Sequence, residues 1–317
     1  MKNNVPPLTA RELASALDYP IAGNGETPIT GIAYADEASP KDLAIAFSRQ
    51  EAERTAANVI LTAPHLLPPE KTVLFSIDEV GLAMIRAVDV LIKHGIYPNR
   101  STPPMVVPHN GYFIGSDVQL GKGISIGPGA VICSGAVLGD DCVIGANAYI
   151  DGGVSLADRV RIAPGARIGI DSFFHAISGS VFVPFAGIGR VLIGHDTVIG
   201  GNTTIQRGTI SDTVIGPHTQ IGDLVEIGHD VKIGTSCKIV SQTGIAGNAV
   251  IGNNVIIYGQ CGITNHVHIG DYAIIKGKTT VTKHVEPNHT VCGPFGREAH
   301  QELRIQAALN RFIKRKE

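Results

Sequence analysis

Residues 215–281 read IGPHTQIGDLVEIGHDVKIGTSCKIVSQTGIAGNAVIGNNVIIYGQCGITNHVHIGDYAIIKGKTTV, and this stretch decides the fold. An aliphatic residue recurs at every sixth position from Ile215 to Val281 without a miss. A period of six is neither the 3.6 of a helix nor the plain alternation of a strand. It is typical of hexapeptide repeats, in which each short strand of a β-helix points one aliphatic side chain inward.

The same pattern extends toward the start of the chain. It runs unbroken from Ile114 to Ile168, is interrupted at residues 169–190, returns at Ile193 and slips once around Thr209–Thr213. Three hexads make one triangular coil, and stacked coils lie about 4.8 Å apart, like strands in a sheet. The sequence therefore predicts a mostly β protein built on a parallel β-helix.

The composition agrees with a narrow, regularly coiled core. The 317 residues include 38 glycines and no Trp, although 44% are hydrophobic. The five cysteines form no C-x-x-C pair, which argues against a disulfide framework or a thiolate zinc site. Three of them, Cys142, Cys237 and Cys261, share one register of the repeat, and we interpret them as small buried fillers.

The net charge and the hydropathy argue against nucleic-acid binding and against a membrane span. The net charge of −2, from 26 basic and 28 acidic residues, argues against a nucleic-acid-binding protein. No stretch of 18 apolar residues predicts a membrane span. The opening MKNNVPPLTA has no apolar signal region, so we expect a cytoplasmic protein.

Different patterns flank the repeat and predict three domains. Residues 1–100 indicate a mixed α/β domain, with a capping box from Thr9 to Glu12 and a helix from Val80 to His94. The β-helix is expected over residues 101–292, and residues 293–317 predict a C-terminal helical extension. That helix carries a basic row, which is either a solvated face or a surface for an acidic partner. The row comprises Arg304, Arg311, Lys314 and Arg315.

Two histidines stand out from the aliphatic and small residues of the repeat. His229 follows the inward Ile227 by two residues, and His266 lies 37 residues further on, which is two 18-residue coils plus one. Both should therefore lie on one edge of the coil. Gly247, one coil after His229, could expose a backbone N–H there. A base, an amide donor and a second polar group on one edge suit acyl transfer, and Asp230 could orient the base.

A zinc site is the competing interpretation of these histidines. His229, His266 and His268 could form a His-only site of the kind found in trimeric carbonic anhydrases built of hexapeptide repeats. Residues 266 and 268 are only two apart, however, which points them to opposite faces of a strand. We therefore expect no metal.

The interruption at residues 169–190 holds four of the nine phenylalanines, and it either covers a neighbouring subunit or lines an apolar groove.

The segments GRVLIGHDTVIGGNTTIQRGTISDTVIG and IGDLVEIGHDVKIG resemble the UDP-3-O-(3-hydroxyacyl)glucosamine N-acyltransferases of lipid A synthesis. So do ITGIAYADEASPKDLAIAFSRQ, which is similar to their uridine-binding domain, and GPFGREAHQELRIQAALNRF after the last coil. The resemblance implies a left-handed β-helix and a homotrimer. It also implies transfer of a 3-hydroxyacyl chain from the phosphopantetheine thioester of acyl carrier protein, without any other cofactor, to the 2-amine of a UDP-linked 3-O-acylglucosamine.

The resemblance implies roles for particular residues. His229 corresponds to the general base, Gly247 to the backbone donor for the oxyanion, and His266 to a second histidine that holds the reacting groups. Phe47, Asp223, Asp230 and Asn265 would bind substrate, and the basic C-terminal helix would meet the acidic carrier protein.

The nucleotide end departs from the family pattern. Arg54 stands where a second uracil-stacking aromatic is expected, Ser172-Phe173-Phe174-His175 replaces a glycine-containing loop, and Gln206 replaces an Asp. These changes favour a divergent member, or a paralogue with another nucleotide sugar or acyl chain. One alternative is an N- or O-acyltransferase that acts on a different nucleotide sugar, with acyl-CoA or acyl carrier protein as donor. The other is a non-catalytic trimeric binding paralogue.

Overall fold

The protein is dominated by a three-sided prism of stacked coils. The structure, a computed structural model of the chain, describes residues 6–64, 71–76, 78–98, 106–293 and 299–314. Three sheets of eight, nine and ten strands form the sides of the prism, and consecutive strands of the chain pass from one side to the next. The predicted left-handed parallel β-helix, the small α/β domain before it and the helix after it are confirmed.

We name the sides face 1, face 2 and face 3. Face 1 contains Gln119–Leu120, Val137–Leu138, Val154–Leu156, Val191–Ile193, Thr213–Ile215, Lys232–Ile233, Val250–Ile251 and His268–Ile269. Face 2 contains Ser125–Ile126, Val143–Ile144, Arg161–Ile162, Val198–Ile199, Gln220–Ile221, Lys238–Ile239, Ile256–Ile257, Ile274–Ile275 and Thr290–Val291. Face 3 contains Val107–His109, Tyr112–Ile114, Val131–Ile132, Tyr149–Ile150, Arg167–Ile170, Thr204–Gln206, Glu226–Ile227, Gly244–Ile245, Gly262–Ile263 and Thr280–Val281.

The core is a set of aliphatic columns. Ile227 pairs with Ile245 and Ile245 with Ile263, so equivalent residues stack at intervals of 18, as the hexads predict. These side chains are at most 3% exposed. Burying each one contributes roughly 1.5–3 kcal/mol relative to leaving it in water. The three register-sharing cysteines are buried as predicted, and burial raises the pKa of each thiol.

Two coils are longer than the rest. Ile168 pairs with Ile205, 37 residues on, because residues 171–187 leave the coil as an excursion. Ile205 then pairs with Ile227, 22 residues on, so this coil has four residues more than the regular 18. We name residues 207–212, where the extra length lies, the vertex loop. It is the slip that the repeat pattern shows around Thr209–Thr213.

The N-terminal domain is a small α/β layer. Its elements are β1 (Leu8–Thr9), α1 (Ala10–Leu17), β2 (Ile21–Ala22), β3 (Pro28–Ile29), β4 (Gly31–Tyr34), β5 (Asp42–Ile45), α2 (Arg49–Arg54), β6 (Val59–Thr62), β7 (Thr72–Phe75) and α3 (Val80–Lys93). The main sheet has the order β2-β7-β6-β5-β4. The predicted capping box is present, because Thr9 and Glu12 satisfy each other's backbone N–H groups.

The excursion forms an antiparallel hairpin, Phe174–Ser178 with Val181–Phe185. Ala176 and Phe185 are buried in the same apolar cluster as the core of the N-terminal domain. Within one chain the hairpin therefore joins the two domains, a third role beside the two expected from its sequence. Phe173, at its start, is 77% exposed.

The C-terminal helix α4 spans Ala299–Lys314. The predicted boundaries at residues 100/101 and 292/293 fall beside segments outside the described residues, so they stay predictions. Among the described residues no helix is long and apolar enough to cross a bilayer.

The columns make a direct prediction about stability. Ile162→Ala should lower the free energy of unfolding by about 2–5 kcal/mol, because it leaves a cavity in a packed core. Arg161→Ala is the matched control, because it alters the outward, exposed residue of the same strand. Denaturant unfolding measures both, and equal losses for the two variants would contradict the inward and outward assignment.

Candidate active site

The predicted catalytic residues lie on one vertex of the prism, between face 3 and face 1. We name residues 228–230, 246–248 and 264–266 the site vertex. Regular stacking places His229, Gly247 and Asn265 in one column. Asp230, Asn248 and His266 form the next column, where each residue has a φ near +60°. Asn, Asp and His are the residues other than Gly that enter this left-handed region most readily.

His229 is held by its neighbour in the chain. Its Nδ1 lies 2.8 Å from Oδ2 of Asp230, and its side chain is 13% exposed. Because a carboxylate only accepts hydrogen bonds, the Nδ1–H donates and Nε2 is left as the free acceptor. An imidazole with this tautomer fixed can take a proton through Nε2.

The vertex loop encloses Asp230. The backbone N–H of Thr209 donates to both carboxylate oxygens, at 3.0 and 3.1 Å, and the Thr209 hydroxyl donates at 2.5 Å. The N–H of Ser211 donates at 3.1 Å. Asp230 is only 3% exposed, and a buried carboxylate needs such donors to offset its lost hydration. The four extra residues of this coil therefore supply the hydrogen bonds that keep the carboxylate beside His229.

Gly247 lies directly under the imidazole. A Cβ added there would be 2.4 Å from Cε1 and 2.5 Å from Nε2 of His229, so only glycine leaves room for the ring. Among the described residues no group takes up the Gly247 N–H. A free amide donor thus lies beside the atom that would act as base.

Some of the corresponding amides on other vertices are capped by a side chain of the next coil. The N–H of Thr235 donates to Oδ1 of Asn253, and the N–H of Asn253 donates to Asp271. Gly247 stands at the equivalent place in its own coil. Among the described residues the N–H groups of Ser241 and Gly259, at the same place in their own coils, are also uncapped. The imidazole of His229 beside the Gly247 N–H is therefore what distinguishes the site vertex.

A groove on face 3 opens at His229, and we name it the base groove. It is lined by Phe173, Gln206, Glu226, Gly228, His229, Gly244, Ile245, Ala246, Gly247, Ile263 and Asn265. The ring of Phe174 packs edge-on against His229, with centroids 5.8 Å apart. A Cβ on Gly244 or Gly262 would meet nothing within 4 Å, so the floor beside the base is open.

Two groove residues were not predicted as site residues, although Gln206 was noted as a departure from the family pattern. Gln206 donates to Oε1 of Glu226 at 2.7 Å and accepts the N–H of Phe173 at 2.9 Å. Partial burial raises the pKa of Glu226, against the opposing effect of the Gln206 hydrogen bond. The only available signal was the outward position of Glu226 one residue before the inward Ile227.

A second cleft lies on the other side of the site vertex, and we name it the aromatic cleft. It is lined by Tyr34, Ala35, Asp36, Glu37, Ile45, Phe47, Glu51, Ser211, Asp230, Lys232, Asn248, Val250 and His266. Phe47 is 46% exposed, and its ring centroid is 6.4 Å from that of Tyr34. The predicted residues Phe47 and His266 therefore share one cleft, while His229 and Asn265 share the base groove next to it.

Asp223 is not brought to the site within one chain. It lies on the vertex between faces 2 and 3, where its carboxylate accepts the N–H of Gly201 at 2.6 Å.

Of the basic residues of α4, Arg304 and Arg311 are exposed and Lys314 ends the helix, whereas Arg315 lies outside the described residues.

The zinc alternative fails on geometry. His268 lies on face 1 beside His284, whose Nδ1 accepts the His268 N–H at 2.9 Å, and it does not converge with His229 and His266. His195 and His218, which show no common register in the sequence, pack edge to face with ring centroids 4.8 Å apart. The vertex loop shifts their spacing and so hides their neighbourhood.

His195 and His218 approach Asp196 closely enough to form a potential ligand group. Arg159, however, already pairs with both oxygens of this carboxylate, at 2.7 and 2.8 Å. That guanidinium holds the pKa of Asp196 well below its usual range. The cluster is therefore better described as an ion-pair network than as a metal site.

Comparisons with known proteins agree with this architecture. Residues 135–169 and 212–247 match the family described as Bacterial transferase hexapeptide (six repeats). The UDP-N-acetylglucosamine acyltransferase of Bacteroides fragilis superposes with a TM-score of 0.52 and 27% identity over 61% of this chain and 72% of that one. The corresponding enzyme of Campylobacter jejuni gives a TM-score of 0.50 at 23% identity, over 56% and 68% of the two chains, and shows the fold alone. The fold and these similarities define the class of left-handed β-helix proteins built of hexapeptide repeats.

Within that class the chain resembles the UDP-3-O-acylglucosamine N-acyltransferases. It is 43% identical over 93 residues to the one from Granulibacter bethesdensis, which is 29% of this chain and 27% of the relative. It is 46% identical over 93 residues to the one from Rhizobium meliloti, or 29% and 26% of the two chains. The matches thus span about a quarter of the length of these relatives.

The contact between Gly247 and His229 is testable without any assay. Gly247→Ala should displace the imidazole from its place above residue 247, because the new methyl would overlap the ring. Gly262→Ala, which meets open space, is the matched control and should leave His229 in place. Crystal structures of the two variants decide the matter: an unmoved ring in Gly247→Ala would refute the packing described above.

Proposed function

We propose that this protein is an acyltransferase that moves a 3-hydroxyacyl chain from acyl carrier protein to the 2-amine of a UDP-linked 3-O-acylglucosamine. The observation that carries the proposal is the column of His229 over Gly247, with a base fixed by Asp230 and an uncapped amide beside it. The resemblance to UDP-3-O-acylglucosamine N-acyltransferases supports the choice of reaction.

The chemistry follows from the two groups. The amine nitrogen attacks the thioester carbonyl carbon while Nε2 of His229 takes up its proton, and Asp230 stabilises the resulting imidazolium. The Gly247 N–H donates to the carbonyl oxygen as negative charge develops on it. When the C–S bond breaks, the imidazolium returns its proton to the leaving thiolate. The products are an amide and the free thiol of the carrier.

The two openings beside the site vertex suit the two ends of such an acceptor. The exposed ring of Phe47 offers a stacking surface for a nucleoside base in the aromatic cleft. His266, in the same cleft, would hold the sugar or its phosphates, and Asn265 would orient groups near the base. Asp223 would serve a substrate bound between subunits of a homotrimer, since it lies on another vertex of its own chain.

The open floor of the base groove suits an acyl chain. Gly244 and Gly262 lie in line on face 3, with the apolar rings of Phe173 and Phe174 at one side. The second candidate, an N- or O-acyltransferase acting on another nucleotide sugar, is favoured by Arg54, which lies at the end of α2 and does not line the aromatic cleft. A non-catalytic binding paralogue fits less well, because the complete base and amide pair would then have no use.

His229→Gln should lower the turnover number by about 10²–10⁴, the usual contribution of a general base, with the fold unchanged. His268→Gln is the matched control, since this exposed histidine lies on the neighbouring face, and it should leave turnover intact. Acyl transfer is measured with several carrier-bound and CoA-bound acyl chains against several UDP-aminosugars. Full activity of His229→Gln would reject the proposed base.

The donor should be recognised by α4. Arg304 and Arg311 are seven residues apart, so they lie on one side of the helix. Charge reversal to Glu at both should raise the KM for acyl carrier protein about tenfold or more, because it replaces attraction with repulsion of an acidic partner. The double Lys variant is the charge-preserving control. Acyl-phosphopantetheine without the protein should react equally well with all three proteins, and an unchanged KM for the carrier would contradict the assignment.

A further inference from the structure

The N-terminal domain contacts the prism at the vertex loop that encloses Asp230. The Tyr34 hydroxyl lies 2.6 Å from the hydroxyl oxygen of Thr209. Next to it, the Ser211 hydroxyl donates to Glu37, and Glu37 also pairs with Lys232 at 3.3 Å. These polar contacts between the domains therefore converge on the residues that hold the carboxylate of the catalytic pair.

The direction of the hydrogen bonds can be assigned. The Thr209 hydroxyl has one proton, and it is directed to Oδ2 of Asp230, which can only accept. Tyr34 must then donate to Thr209. Burial, and after it the negative charge of Asp230, raise the pKa of Tyr34, so its hydroxyl keeps the proton that it donates.

We propose that Tyr34 is a positioning residue for His229, acting through an ordered chain of hydrogen bonds that runs from Tyr34 to Thr209, to Asp230 and to Nδ1 of His229. The three hydrogen bonds of this chain measure 2.6, 2.5 and 2.8 Å. The N-terminal domain would then help to orient His229 as the base, as well as hold the nucleotide sugar. This inference rests on the proposed function only where turnover is the readout.

The position of Tyr34 gives the chain a further consequence. The same side chain lines the aromatic cleft, with its ring 6.4 Å from that of Phe47. A nucleoside base bound against Phe47 would therefore contact Tyr34, the first residue of the hydrogen-bond chain. Binding at the nucleotide end and alignment of the base share one side chain, which couples acceptor binding to readiness for proton transfer.

Tyr34→Phe is the decisive variant, because it removes the hydroxyl and keeps the ring. Thr209→Val removes the next hydroxyl, and Thr209→Ser retains it as a rescue. Tyr97→Phe is the matched control: it removes a hydroxyl of the same domain that accepts the Ile32 N–H and has no link to His229.

The first readout is the NMR signal of the His229 Nδ1–H in the full-length protein. In Tyr34→Phe and Thr209→Val we expect its exchange with water to accelerate several-fold, whereas Thr209→Ser and Tyr97→Phe should match the wild type. This readout needs no substrate, so it decides the inference even if no acyl transfer is found. An unchanged signal in Tyr34→Phe would overturn the proposal, as would an equal change in Tyr97→Phe.

The second readout separates positioning from substrate contact. Loss of one hydrogen bond in the chain should lower kcat about 5- to 30-fold, with the KM for the UDP-sugar unchanged. Tyr34→Phe in the Thr209→Val background should add little, because both act through the same link. A raised KM at constant kcat would make Tyr34 a substrate contact, and additive losses would break the chain; either result overturns the inference.

Discussion

A carboxylate with 3% of its surface exposed is costly unless donors surround it, and the hydrogen bonding of Asp230 is the constraint on which the site depends. A regular coil lacks the four extra residues that bring further donors against this carboxylate. The vertex loop supplies them, with two N–H groups and one hydroxyl directed at the carboxylate. With its oxygens satisfied, Asp230 fixes the tautomer and orientation of His229.

The rest of the site depends on glycines that leave space as much as on functional side chains. Some other corners carry an Asp, Asn or Ser that caps the amide of the neighbouring coil, whereas Gly247 has the imidazole above it and a free N–H beside it. Gly244 and Gly262 leave the neighbouring face open. The uniform coil thus acts as a rigid frame, in which Gly247 makes room for the imidazole and Gly244 and Gly262 keep the groove beside it open.

The repeat made the fold and one edge of the site predictable, because the period of six fixes which residues share a column. The shared edge of His229, Gly247 and His266 follows from that arithmetic alone. The edge-to-face contact of His195 with His218 does not, since the vertex loop adds four residues between the two histidines and breaks the count. Contacts between distant segments were equally hidden: nothing in the hexads indicates that Tyr34 reaches Thr209, or that the hairpin packs into the N-terminal core.

The central claim is that the hydrogen-bonded carboxylate of Asp230 orients His229 so that its Nε2 faces the reacting amine. The Gly247 N–H then faces the reacting carbonyl oxygen. A crystal structure of the wild-type protein with the reaction product, a UDP-linked N-acylglucosamine, tests this most directly. The account predicts the amide nitrogen of the product about 2.7–3.2 Å from Nε2 and its carbonyl oxygen at a similar distance from the Gly247 nitrogen. A product amide bound away from both atoms, at any of the other corners of the prism, would contradict it.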